Sequence, residues 1–145
     1  MKKLVLLAVL FLGSLSLMAQ KPEIFSADGA AIRGYDVVAY FTEGKAVKGD
    51  AKFTYNWKSA DWNFASQKNL DAFKANPEKY APQFGGYCAY GTSNGYKAKT
   101  EADAFTIVDG KLYLNYNNEV KAMWIKDQKN LIDKANANWP KIKDK

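Results

Sequence analysis

The stretch FTIVDGKLYLNY, Phe105 to Tyr116, sets two β-branched and aromatic runs on either side of Asp109-Gly110. Both central residues of a type I′ turn must take positive φ, which Asp-Gly accepts, so the stretch predicts an antiparallel hairpin. Upstream, Phe53, Tyr55 and Trp57 alternate with Thr54, Asn56 and Lys58, the period of a strand with one buried face. Trp62 and Phe64 continue that alternation beyond Ser59-Ala60-Asp61, which predicts a second hairpin over about 53–64. Ser66 stands at an N-cap position, and Leu70 with Phe73 supplies the apolar stripe of a short helix over about 66–76. Pro77 opens a further helical turn through Tyr80, and Pro82 stops it.

The remaining segments carry weaker patterns. GYDVVAYF, Gly34 to Phe41, reads as strand or strand-loop, and Thr42 to Asp50 reads as loop. GGYCAYGTSNGY, Gly85 to Tyr96, has four glycines among aromatics and reads as a loop, or a strand with close backbone approaches. Downstream of the hairpin, Val120, Met123, Trp124, Leu131, Ile132 and Ala135 predict one C-terminal helix over about 118–136, ended by Trp139-Pro140 with a fraying lysine-rich tail. Strand pairs and helices that do not alternate imply an α+β fold.

Met1-Lys2-Lys3, the apolar run LVLLAVLFL and the exit at Ala19 have the form of a cleavable secretory signal peptide over residues 1–19. The expectation is therefore an exported protein, periplasmic or secreted, with one domain over 20–145 and no membrane anchor after cleavage. Lys2 and Lys3 account for two of the net +6 charges, leaving +4 on the mature chain. Arg33 is the only arginine and the lysines are scattered, which argues against nucleic acid as a partner. Cys88 is the only cysteine, so no internal disulfide forms and stability must come from packing.

Five segments together resemble the YHS domain family: GYDVVAYF at 34–41, FTYNW at 53–57, WNFAS at 62–66, AFKANPEKY at 72–80 and FGGYCAYG at 84–91. The resemblance covers about Ile32 to Tyr96, and the later hairpin and helix resemble an extension of exported relatives. It implies an association with metal handling, because metal-type members carry one cysteine in an Asp-Pro-Val-Cys segment and two in a Phe-Cys-Ser-x-x-Cys segment. Thiolates there suit soft or borderline ions such as Cu(I) or Zn(II). In this chain Ala39, Ala65 and Asn69 stand at those three positions. With no histidine either, one molecule cannot build a closed tetrahedral Cys/His site.

Cys88 is the first candidate functional residue, since a lone thiol in an oxidising compartment must be buried, paired or ligated. As a ligand to a soft metal such as copper it would take Met123 or a tyrosine as second donor. As a structural residue it packs as a small hydrophobe among Tyr87, Ala89 and Tyr90. The candidate ligand-binding set is Cys88, Tyr87, Tyr90, Gly85, Gly86, Tyr35 and Asp36, with Cys88 and Met123 as candidate metal ligands. No catalytic residue is assigned: histidine, the commonest general base, is absent, and the carboxylates show no acid/base spacing. The reading is an exported, non-enzymatic binding module for a metal ion, small ligand or protein partner. The alternatives are a structural or interaction domain with Cys88 in the core, and a thiol-dependent enzyme.

Overall fold

The computed structural model describes residues 20–145; the expected signal peptide, residues 1–19, lies outside the described residues. In chain order the elements are β1 (Ser26–Ala27), β2 (Ala30–Ala31), α1 (Val37–Thr42), β3 (Asp50–Trp57), β4 (Ala60–Phe64), α2 (Gln67–Ala75), α3 (Pro77–Tyr80), α4 (Ala89–Ser93), β5 (Phe105–Val108), β6 (Lys111–Leu114), α5 (Asn118–Ile125) and α6 (Gln128–Ile142). The strands form three antiparallel pairs, β1 with β2, β3 with β4, and β5 with β6. This is an α+β fold, with both expected hairpins present. Asp109 and Gly110 have φ of 52° and 73°, the left-handed pair that a type I′ turn requires.

β6 divides the interior. Leu112 and Leu114 point into a larger core with Ile32, Val38, Tyr40, Trp62 and Phe73, while Tyr113 between them points into a second core with Phe84, Trp124, Leu131 and Ala135. The period of two along a strand is what lets one element serve both. The larger core is organised around Phe73 of α2, whose ring lies 5.0 Å from Trp62, 5.1 Å from Phe64 and 5.7 Å from Trp57. Full burial of each large side chain contributes roughly 1.5–3 kcal/mol, so this cluster anchors hairpin to helix.

Three expectations need correction. GYDVVAYF is not a strand: Asp36 accepts from the N–H groups of Val38 and Ala39, and this N-cap starts α1 despite the β propensity of Val37-Val38. GGYCAYGTSNGY is neither a plain loop nor a strand but a 3₁₀ turn over Gln83–Gly86 followed by α4. The C-terminal helix is two helices, broken at Asp127 (φ −136°, ψ 38°), and α6 runs through Pro140 to Ile142 instead of ending at Trp139-Pro140. Because of the break, α5 buries Trp124 and leaves Met123 half exposed, while α6 buries Leu131 and Ala135. No helix among the described residues is long and apolar enough to cross a membrane.

Candidate functional site

Cys88 lies at the N-cap of α4 with 2% of its surface exposed. Its thiol donates to Asn115 Oδ1 at 3.5 Å, and its sulfur accepts from the Gly91 N–H at 3.4 Å. Burial pushes the thiol up from its ordinary value, and the N–H groups of Gly91, Tyr116 and Tyr90 partly oppose that shift. A neutral thiol with both hydrogen-bonding roles filled is a weak nucleophile and a poor metal donor. Asn115, itself fully buried, completes the arrangement by accepting from the Tyr90 N–H at 3.1 Å.

The other sequence candidates are dispersed. Tyr87 is 4% exposed, and its hydroxyl donates to the Pro22 carbonyl at 2.7 Å, so it ties the N-terminal strand segment to the core. Gly85 takes φ of +63°, and a Cβ there would meet the Glu23 carbonyl oxygen at 1.8 Å; at Gly86 it would meet Ile32 Cδ1 at 2.2 Å. The close approaches these glycines permit are therefore to the chain itself. Tyr35 lines a shallow cleft with Arg33, Glu101 and Asp103, and Lys48 Nζ sits 4.9 Å from its ring. Met123 stands half exposed on α5, whereas Cys88 is interior. Among the described residues, no group of three or more His, Cys, Asp or Glu comes together.

Asp36 is different in kind. It is fully buried, and both carboxylate oxygens are engaged: Oδ1 accepts from the N–H of Val38 at 2.9 Å and of Ala39 at 3.2 Å. Oδ2 accepts from the Ala65 N–H at 2.9 Å and from the Asn69 side-chain amide at 2.8 Å. Thus Ala39, Ala65 and Asn69, the positions of the three cysteines in metal-type sequences, converge on one carboxylate. The residues present do not fit a thiolate metal centre. Two alanines offer no donor atom, and the asparagine amide already donates to the carboxylate beside it.

Lys97 escaped the sequence reading because a lysine among polar residues gives no sign of burial. It is 7% exposed, and its ammonium donates to the carbonyl oxygens of Lys21 (3.0 Å) and Pro22 (3.3 Å) from one end of the domain, and of Lys143 and Lys145 from the other. Lys21 returns the contact by donating from Nζ to the Lys97 carbonyl at 3.0 Å. The rings of Tyr87 and Trp139 lie 5.2 and 5.6 Å from the Lys97 ammonium. Burial lowers the ammonium's pKa from its ordinary value, while the charges of Asp144 and Glu23 act in the other direction.

Residues 38–84 match the family model of the YHS domain, which supports a place in that family for this segment. The match runs from α1 to the 3₁₀ turn before Cys88, so it contains Ala39, Ala65 and Asn69 but not the thiol. No curated protein and no solved structure matches the chain.

Proposed function

We propose that this YHS-domain chain is an exported, non-catalytic binding module in which the thiolate positions of metal-type members have become a structural hub and Cys88 serves as a helix cap. The observation that carries the reading is the Asp36 carboxylate, whose four donors include groups at all three substituted positions. The buried, doubly hydrogen-bonded thiol of Cys88 supports it, and also speaks against a thiol-dependent enzyme. Export rests on the form of residues 1–19.

The test is titration of the purified 20–145 domain with Cu(I) and Zn(II), beside Cys88→Ser. The expected result is no stoichiometric uptake by either protein. Stoichiometric uptake by the native domain that disappears in Cys88→Ser would restore Cys88 as a ligand and overturn the reading. N-terminal sequencing of the exported fraction checks the address, with Gln20 expected as the first residue.

A further inference from the structure

Cleavage after Ala19, the point set by the form of residues 1–19, makes Gln20 the first residue of the exported chain and gives it a free α-amine. In glutamine that amine and the side-chain carboxamide carbon are spaced to close a five-membered ring. Holding two reacting groups at such a spacing turns a meeting of two molecules into an internal step, which removes much of the entropic barrier. α-Amino groups titrate at about 8, so a share of them is uncharged and nucleophilic at neutral pH.

The fold leaves both groups free to meet. Gln20 is exposed, and at this end the hydrogen bonds among the described residues begin at Lys21. The Lys21 N–H donates to the Lys145 carbonyl at 3.3 Å, its carbonyl accepts from Lys97 Nζ at 3.0 Å, and its own ammonium donates to the Lys97 carbonyl at 3.0 Å. The backbone is therefore held from residue 21 onward, and no bond of that clasp has to break for a ring to close one residue earlier. Gln20 borders a cavity of about 450 Å³ that it shares with Tyr96 and Ile142. That opening has room for the ring and a path out for a small leaving group. Tyr96, 53% exposed, and Ile142 give it apolar surface against which a neutral ring is better placed than an ammonium.

We propose that the exported chain begins with a pyroglutamyl residue formed from Gln20. The α-nitrogen attacks Cδ; the N–Cδ bond forms, the Cδ–Nε2 bond breaks, and one amine proton leaves with Nε2 as ammonia. Nothing is oxidised or reduced, and no co-reactant is consumed. The product has no terminal ammonium, so the start of the chain is closed to exopeptidases that require one. The proposal rests on the export reading, because only cleavage after Ala19 frees this amine, and it uses no property of Cys88 or Asp36.

The experiment is expression of the full chain, residues 1–145, in a bacterial host that exports it, followed by incubation of the exported protein at neutral pH and mass spectrometry of its N-terminal peptide. A lactam blocks stepwise degradation, so mass is the readout, and it fixes the cleavage point at the same time. Expected is a peptide that starts at residue 20 and is lighter by one ammonia, becoming the main form during incubation. Gln20→Asn, whose shorter side chain would need a strained four-membered ring, should start at the same residue with its full mass. A native peptide that starts at Gln20 and keeps its full mass overturns the proposal and leaves export standing. A chain that starts elsewhere, or that never reaches the exported fraction, overturns the export reading and the proposal with it. An ammonia loss that persists in Gln20→Asn lies at another residue of the peptide and overturns the assignment to Gln20.

Discussion

The carboxylate of Asp36 and the amide of Asn115 are both fully buried and both hold a short helix at its start, but they are completed to different degrees. Asp36 takes four donors on two oxygens and joins α1 to the β4–α2 junction. Asn115 accepts from Cys88 and Tyr90 through Oδ1, while its Nδ2 has no partner among the described residues. A buried donor left unmade costs about 1–3 kcal/mol. The contrast teaches where each half of the chain spends its polar groups. The region from Asp36 through the YHS match has turned them inward into a closed scaffold, while the C-terminal elements keep buried polar groups without a partner among the described residues.

Asp36→Ala is the most direct way to break this contrast. It strands the N–H groups of Val38, Ala39 and Ala65 and the Asn69 amide, and should lower unfolding free energy by about 3 kcal/mol or more in urea titration. A loss no larger than that of an ordinary surface substitution would mean that the hub is not structural. Gly85→Ala should cost more than about 2 kcal/mol, since it drives a Cβ against the Glu23 carbonyl at a left-handed position. A change near zero would reopen that glycine as a ligand approach.

Alkaline pH sharpens the other half. The folded thiol of Cys88 titrates above its ordinary value of 9.0. Its contribution is therefore fully present below the unfolded pKa and is lost as pH rises through the folded one, because the unfolded chain ionises first. Unfolding free energy measured across that window should fall with pH, and less steeply in Cys88→Ala; parallel curves would contradict the buried thiol. Cys88→Ser should have the smallest effect, under about 1 kcal/mol, because a hydroxyl also caps a helix. In the native protein the thiol should resist alkylation until denaturant is added.

What the sequence made legible was local. The β5–β6 hairpin needs only Asp109-Gly110 and its flanks, and the β3–β4 hairpin only its alternating aromatics. α1 was not legible, because the capping by Asp36 depends on a side chain also held by Ala65 and Asn69, about thirty residues away in the chain. The break between α5 and α6 falls among Lys126, Asp127 and Gln128, where Asp127 supplies the only breaker signal, and a weak one. An unbroken helix would put Met123 on the buried face; the break leaves it half exposed. In the sequence Pro140 has the look of a stop, yet near a helix end it forfeits a single backbone hydrogen bond. At the site, Cys88 stood out by its rarity, whereas Asn115 and Lys97 matter through burial and partners that only the fold supplies.

The Lys97 clasp has a topological consequence. The Lys21 N–H also meets the Lys145 carbonyl at 3.3 Å, so the two ends of the described segment lie beside one another. Domains with adjoining ends tolerate permutation and insertion into other proteins' loops. A short linker from 145 to 20, with new ends cut in the exposed loop around Gly44, should give a circular permutant that keeps both cores. Grafted by those same two residues, the domain would hang from a host protein by a single narrow stalk.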